Sequence, residues 1–142
     1  YGLSGSGKTY ASKYLKKKIK NTFLIDGDEI RAINNNDLGH SIDHRKKQLL
    51  RLFNHSKLVI KQGYFPIISS VYVDKNTHQK LKKMKIELIK IIRSTSKVNT
   101  KLINKKNVIG YDLKLPYLKT VIIQNDKYFK KSLNNISHLI KK

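Results

Sequence analysis

The sequence predicts an α/β fold in which a central parallel sheet lies between two layers of helices. Short runs of apolar residues alternate along the chain with longer amphipathic segments. The short runs are typical of buried parallel strands, and the amphipathic segments are typical of helices that cover a sheet. Because strands and helices take turns along the chain, we expect three layers with the sheet in the middle.

Length and composition predict one domain, which we place at residues 1–142. The chain has 142 residues, of which 39% are hydrophobic, and this suffices for a single core. No run of about 18 apolar residues occurs, so the sequence predicts no membrane-spanning helix. The chain contains no cysteine, which excludes disulfides and thiolate metal sites and fits a reducing cytoplasm. We therefore expect a cytoplasmic protein.

The first part of the chain predicts two loops, one strand and three helices. Apolar residues recur at helical spacing, for example at Leu49, Leu52 and Phe53, and Ser41 is a suitable N-cap for the helix that contains them. In order, the predicted elements are a Gly-rich loop over 2–9, a helix over 9–20, a strand over 22–25, a short helix over 29–33, a loop over 34–39 and a helix over 43–62.

The second part predicts three more strands and two more helices. Pro66 fits poorly within a strand because it has no backbone N–H, yet the residues around it form an apolar run. In order, we expect a strand over 64–71, a polar helix over 74–84, a strand over 86–92, a Lys/Asn-rich stretch over 94–110, a strand over 120–123 and an amphipathic helix over 129–140.

Residues 2–9 read Gly-Leu-Ser-Gly-Ser-Gly-Lys-Thr and match the pattern G-x-x-x-x-G-K-[ST] at every fixed position. Glycines allow close backbone approach, so that N–H groups at the start of a helix turn toward an anion. A lysine there reaches the β- and γ-phosphates of a nucleotide, and a threonine hydroxyl holds Mg²⁺. The alternative is a Gly/Ser loop without a ligand. We favour a phosphate site formed by Gly2, Ser4, Gly5, Ser6, Gly7, Lys8 and Thr9.

Two carboxylates, Asp26 and Asp28, follow the predicted strand over 22–25. A carboxylate at a strand tip beside a phosphate loop holds Mg²⁺, directly or through water, or accepts a proton from an attacking hydroxyl. The alternative is a structural turn in which Asp28 caps the following helix. The spacing alone leaves both interpretations open.

Arginine is scarce in this chain, with 4 residues against 27 lysines, and two of the four are Arg31 and Arg45. Both follow the carboxylates closely. A planar guanidinium binds phosphate or sulfate in a bidentate manner, which lysine does not. The alternative for either residue is a surface ion pair.

A Gly-rich phosphate loop normally follows the carboxyl end of a buried strand, but only Tyr1 precedes this one. We therefore expect the domain to be N-terminally incomplete, with its first strand missing from the sequence.

Together these residues resemble the adenylylsulfate kinase (APS kinase) family. The similarity is carried by the loop at 2–9, by Ile-Asp-Gly-Asp-Glu-Ile-Arg at 25–31, and by Asn35, Asp37-Leu38-Gly39, Ser41 and Arg45; a weaker similarity to the family's lid covers 106–112. The resemblance implies a P-loop kinase-type three-layer sandwich. It also implies phosphoryl transfer from ATP, with Mg²⁺, to the 3′-hydroxyl of adenosine 5′-phosphosulfate (APS).

The resemblance also implies a role for each matching residue. Asp28 and Lys8 are the catalytic residues, and Thr9 with Asp26 hold the metal. The substrate-binding residues that it implies are Asp26, Arg31, Asn35, Arg45 and Lys106.

Several positions depart from the family pattern, all on the acceptor side. His40 stands where the family has an aromatic residue, Gln48 replaces an asparagine, and the lid between 92 and 106 is short. Two alternatives therefore stay open: a kinase for another small hydroxyl acceptor, such as a sugar or nucleotide, and a degenerate fragment that binds polyanions. A GTPase is disfavoured because no Asn-Lys-x-Asp-like guanine reader follows at suitable spacing.

The formal net charge is +22, and it predicts weak, salt-dependent binding to polyanions. The lysines are spread along the whole chain, whereas nucleic-acid sites cluster arginines and aromatic residues on one face. The expected partners are therefore a small-molecule substrate, polyanions bound without specificity and, as one candidate assembly, a second copy in a homodimer.

Overall fold

The structure is a computed structural model, and it describes residues 1–84, 86–93, 106–109 and 112–140. Helices and strands alternate along the chain, as the sequence predicts. The elements are α1 (Lys8–Lys18), β1 (Thr22–Asp26), α2 (Gly27–Ile33), α3 (Ile42–Lys61), β2 (Phe65–Ser69), α4 (Lys75–Lys83), β3 (Ile89–Ile92), β4 (Val121–Gln124) and α5 (Phe129–Ile140).

All four strands pair in parallel, and they do so as two two-stranded sheets. In one sheet Thr22 of β1 lies opposite Phe65 of β2, and in the other Ile89 of β3 lies opposite Val121 of β4. Tyr1 extends the second sheet by one residue, because its backbone N donates to the Ile89 carbonyl at 2.7 Å and its carbonyl accepts from the Ile91 N–H at 2.8 Å. The Gly-rich loop therefore begins beside β3.

Helix α1 packs against both strands of the first sheet and against α5. Its Ala11 belongs to a buried cluster with residues of the second sheet and α5, namely Ile91, Ile123, Phe129 and Leu133. A second cluster beneath α3 contains Ile25, Leu52 and Val59. Helix α1 thus packs against both sheets, and the loop leads into its N-terminus.

Pro66 lies within β2, and the direction of the neighbouring hydrogen bonds explains why it is tolerated. Phe65 N–H donates toward β1, to the Asn21 carbonyl at 2.7 Å. Because backbone groups alternate sides along a strand, the nitrogen of Pro66 faces away from β1. The strand predicted over 64–71 is therefore confirmed as Phe65–Ser69.

Most predicted boundaries agree with the structure within two residues, and the strand predicted over 86–92 is the main exception. It is shorter, Ile89–Ile92, because the Ile86 N–H donates to the Leu81 carbonyl at 2.9 Å and so completes the turn after α4. Much of the Lys/Asn-rich stretch, residues 94–105 and 110, lies outside the described residues. In the part of the chain that is described, no helix is both long and apolar enough to span a bilayer.

The helix predicted over 29–33 begins earlier, at Gly27. The Asp26 carboxylate accepts a hydrogen bond from the Asp28 N–H at 2.9 Å, which makes Asp26 the N-cap. The interpretation of Asp28 as that cap is therefore wrong. Asp28 instead lies in the first turn of α2, with an exposed side chain.

Candidate active site

The Gly-rich loop crosses closely over β3 before it enters α1. A Cβ on Gly2 would lie 2.2 Å from the Ile91 carbonyl oxygen, so the close approach requires glycine. Gly7 has φ +102° and is the N-cap of α1. The loop thus brings its backbone to the positive end of a helix dipole, which is a favourable place for an anion.

Lys8 lies across this loop. Its Nζ donates to the Leu3 carbonyl at 2.8 Å. Burial lowers the pKa of Lys8, while the nearby carboxylates of Asp28 and Asp26 raise it. The ammonium is therefore a partly desolvated cation held between the loop and two acids.

Asp26 links the loop to the end of β1. Its side chain is buried, and its second carboxylate oxygen accepts from the Thr9 hydroxyl at 3.2 Å. A hydroxyl beside a carboxylate suits Mg²⁺, which is commonly bound by one or two such groups together with substrate phosphates. No group of three or more His, Cys, Asp or Glu side chains within the described ranges forms a metal site by itself. The two residues therefore fit a Mg²⁺ that arrives with a nucleotide.

A cavity of about 290 Å³ opens in front of the loop. It brings together the loop, both carboxylates, both predicted arginines and the end of β2. Its lining consists of Ser4, Gly5, Gly7, Lys8, Thr9, Tyr10, Asp26, Gly27, Asp28, Arg31, Arg45, Gln48, Ser69, Ser70, Val71 and Tyr72.

Arg31 holds the loop that follows α2, where its Nη1 donates to the carbonyls of Leu38 and Gly39. Burial lowers the pKa of Arg31, and Asp28 opposes this effect. The guanidinium therefore positions the loop while it faces the cavity beside Asp28.

Arg45 makes two backbone contacts at 2.8 Å, from Nε to the His40 carbonyl and from Nη2 to the Asn107 carbonyl. Burial and then the neighbouring Arg31 lower the pKa of Arg45. A bound anion would offset both the mutual repulsion of the two guanidinium groups and the cost of their burial. The pair therefore favours an anionic ligand.

Four predicted residues do not line the cavity. Gly2 and Ser6 are buried, so they act by shaping the loop. Asn35 is exposed and adopts a left-handed conformation with φ 52°. Lys106 is exposed and adjoins Asn107, the residue that Arg45 contacts. The binding roles predicted for Asn35 and Lys106 stay predictions.

The structure adds residues that the sequence prediction did not assign to the site. Gln48 is buried and lines the cavity, and Ser69 and Ser70 lie at the carboxyl end of β2. Asn125 follows β4 and donates from Nδ2 to the Ser6 carbonyl at 2.9 Å, which attaches the loop to the segment after β4. Ser69 and Ser70 lie near the end of the strand predicted over 64–71, and Asn125 lies two residues after the strand predicted over 120–123. Polar residues near the carboxyl end of a predicted strand are a signal for these three, whereas Gln48 within a helix has no such signal.

A model of the family described as adenylylsulphate kinase matches residues 1–111. The chain belongs to the adenylylsulphate kinase family. Within this family, it is 34% identical over 100 residues to the adenylyl-sulfate kinase of Buchnera aphidicola, covering 66% of this chain and 47% of that one. It is 37% identical over 87 residues to that of Clostridium acetobutylicum, covering 56% and 44%. The chain thus spans about half the length of these curated relatives.

The fold is also that of this family. A structure of Mycobacterium tuberculosis APS kinase in complex with AMPPNP and APS superposes with a TM-score of 0.82, at 18% identity, over 99% of this chain and 94% of that one. The predicted α/β class with a P-loop kinase-type arrangement is therefore confirmed.

Proposed function

We propose that the chain is an adenylyl-sulfate kinase that transfers the γ-phosphoryl group of ATP to the 3′-hydroxyl of APS. The observation that carries this proposal is that the phosphate loop, two carboxylates and two arginines line the same cavity. A solved family structure that contains AMPPNP and APS supports the same pair of substrates.

The phosphate loop would bind the donor nucleotide. Its backbone N–H groups and the start of α1 attract the phosphates. The Lys8 ammonium would exchange its hydrogen bond to the neutral Leu3 carbonyl for one to a phosphate oxygen. The hydrogen bond to phosphate is the stronger of the two because both partners are charged. Thr9 and Asp26 would hold Mg²⁺, which when bound neutralises charge on the β- and γ-phosphates.

Asp28 would act on the acceptor. Its carboxylate is exposed, lines the cavity and influences the pKa of both Lys8 and Arg31. As the 3′-oxygen forms its bond to the γ-phosphorus and the bond to the β–γ bridging oxygen breaks, Asp28 accepts the hydroxyl proton.

Arg31 and Arg45 would bind the phosphosulfate group. Both arginines line the cavity, and burial lowers the pKa of each. A phosphosulfate brings two negative charges and pairs of non-bridging oxygens, which match the two-pronged donors of a guanidinium better than an ammonium.

The test is transfer of labelled γ-phosphate from ATP to APS, to other nucleotides and to sugars, with Lys8→Ala as the inactive control. The proposal predicts labelled 3′-phosphorylated APS in the presence of Mg²⁺. Transfer to another acceptor and not to APS would identify the second candidate, a kinase for a different small hydroxyl compound. That candidate is favoured by His40, which is exposed in the loop between α2 and α3, at a position where the family has an aromatic residue.

Further properties are proposed on narrower grounds. The net charge of +22 supports weak polyanion binding, which a filter-binding assay with RNA at low and high salt tests through its salt dependence.

A cytoplasmic location is supported by the absence of cysteine. The homodimer and the single domain over 1–142 stay predictions from the sequence, and sedimentation tests the former.

A further inference from the structure

A continuous set of side-chain contacts runs from the loop after α2 to the turn that carries the two acids. It begins at Asp37, passes through Arg51 and Gln48 on α3, and ends at the carbonyl of Gly27. Gly27 is the residue between Asp26 and Asp28. Of the side chains in this set, only Gln48 lines the cavity.

The amide of Gln48 is fixed at both ends. Its Nε2 donates to the Gly27 carbonyl at 2.9 Å, and its Oε1 accepts from Arg51 Nη1 at 3.3 Å. Rotating the amide by half a turn would place its oxygen against a carbonyl and its NH₂ group against a guanidinium, so both contacts select the same orientation. The side chain is only 5% exposed, so water does not readily replace either contact.

Arg51 is itself held in a bidentate ion pair. Its Nη1 and Nη2 donate to the two carboxylate oxygens of Asp37 at 2.9 and 2.6 Å. This fork geometry restricts the guanidinium to one plane, and that plane directs Nη1 toward Gln48 as well. An ammonium in place of the guanidinium could not reproduce this arrangement.

We propose that Arg51 is a positioning residue for phosphoryl transfer, acting through Gln48 on the Asp26–Gly27–Asp28 turn. The inference rests on the proposed function, because Asp28 is the acid that must meet the acceptor hydroxyl. Removing the Arg51 side chain frees the Gln48 amide to rotate, and the Gly27 carbonyl then loses its fixed donor. The turn that carries Asp28 becomes less well placed, and small misplacements of reacting groups reduce rates severely.

The experiment is a double-mutant cycle on phosphoryl transfer with Gln48→Ala, Arg51→Ala and the double variant. We expect Arg51→Ala to lower kcat by about tenfold, with KM for ATP changed less than about twofold. If Arg51 acts through Gln48, the double variant loses no more activity than Gln48→Ala alone. Lys57→Ala is the matched control, because it removes an exposed cation from the same helix and should leave kcat unchanged.

Two outcomes would overturn the inference: multiplicative losses in the double variant, or an unchanged kcat in Arg51→Ala. A purely structural role of Arg51 would reduce the fraction of folded protein, which ATP-binding stoichiometry measures separately. It would also leave Arg51→Ala with an effect of its own in the Gln48→Ala background. If Arg51→Ala does not fold, Asp37→Asn at an exposed position replaces it in the cycle. Absence of transfer by the unaltered protein would instead contradict the proposed function.

Discussion

The Thr9 hydroxyl donates to the Asp26 carboxylate at 3.2 Å, and this contact joins the first turn of α1 to the end of β1. The same carboxylate caps α2 through the Asp28 N–H. One buried acid therefore sets the relative position of three parts of the site: the phosphate loop, the strand end and the helix that carries Asp28.

Asp26→Asn should raise the Mg²⁺ concentration needed for half-maximal activity and lower kcat on the order of 10²-fold. The amide retains an oxygen that can cap α2, but it lacks the negative charge that would attract Mg²⁺ in the proposed site. A Mg²⁺ titration of initial rates measures both effects. Asp43→Asn, an exposed acid on α3, is the control; an unchanged titration for Asp26→Asn would contradict a metal role.

Lys8→Ala should reduce kcat/KM for ATP by at least about 10²-fold, because in the proposed site the β- and γ-phosphates would lose the Lys8 ammonium. Steady-state kinetics with varied ATP measure the change. Lys13→Ala removes an exposed lysine from the same helix and should be neutral. Near-normal turnover by Lys8→Ala would refute the assignment of this lysine to the phosphates.

Asp28→Asn should lower kcat far more than it weakens ATP binding, since an amide cannot accept the hydroxyl proton. Isothermal titration with a non-hydrolysable ATP analogue gives the affinity, and single-turnover transfer to APS gives the rate of the chemical step. A parallel loss of both quantities would make Asp28 mainly a binding residue.

Gly2→Ala should cost about 3 kcal/mol or more in the free energy of unfolding, because the added Cβ meets the backbone oxygen of Ile91 at 2.2 Å. Gly63→Ala is a matched comparison: Gly63 has φ +82° and nothing within 4 Å of the added Cβ. Its cost should be about 1–2 kcal/mol, from conformation alone. Urea unfolding compares the two; equal costs would show that the loop moves away from β3 freely.

The ion pair between Asp37 and Arg51 should make stability depend on pH. The hydrogen bond from Arg51 lowers the pKa of Asp37 in the folded protein, so the folded state favours the ionised acid. This contribution is fully present above the ordinary carboxyl range and is lost as pH falls through the lowered pKa. Urea unfolding of the unaltered protein and of Asp37→Asn should differ at about pH 7 and converge in strong acid. A difference that persists in acid would have another cause.

The sequence predicts the parts of the site that depend on local backbone chemistry. The spacing of glycines before Lys8 and Thr9 fixes a loop at a helix start, and an apolar run before Asp26 places acids at a strand end. Both predictions agree with the structure because each depends on residues that are neighbours in the chain.

Contacts between distant residues have no such signature. Asn125 lies 119 residues from Ser6, whose carbonyl it contacts, and Gln48 lies 21 residues from Gly27. Gln48 meets Gly27 only because α3 packs against β1 and α2, and Asn125 meets Ser6 only because the segment after β4 lies against the loop. The wrong assignment of the α2 cap to Asp28 has a different, local reason: either Asp26 or Asp28 is suitable at this strand-to-helix turn.

Helix α1 has a consequence for how the protein loses activity on heating. It packs on β1 and β2, its Ala11 is buried with residues of β3, β4 and α5, and its first two residues are Lys8 and Thr9. Melting that detaches α1 from either sheet also carries the ammonium and hydroxyl away from Asp26. Nucleotide binding and tertiary structure should therefore disappear in one cooperative transition, and a bound nucleotide should raise its midpoint.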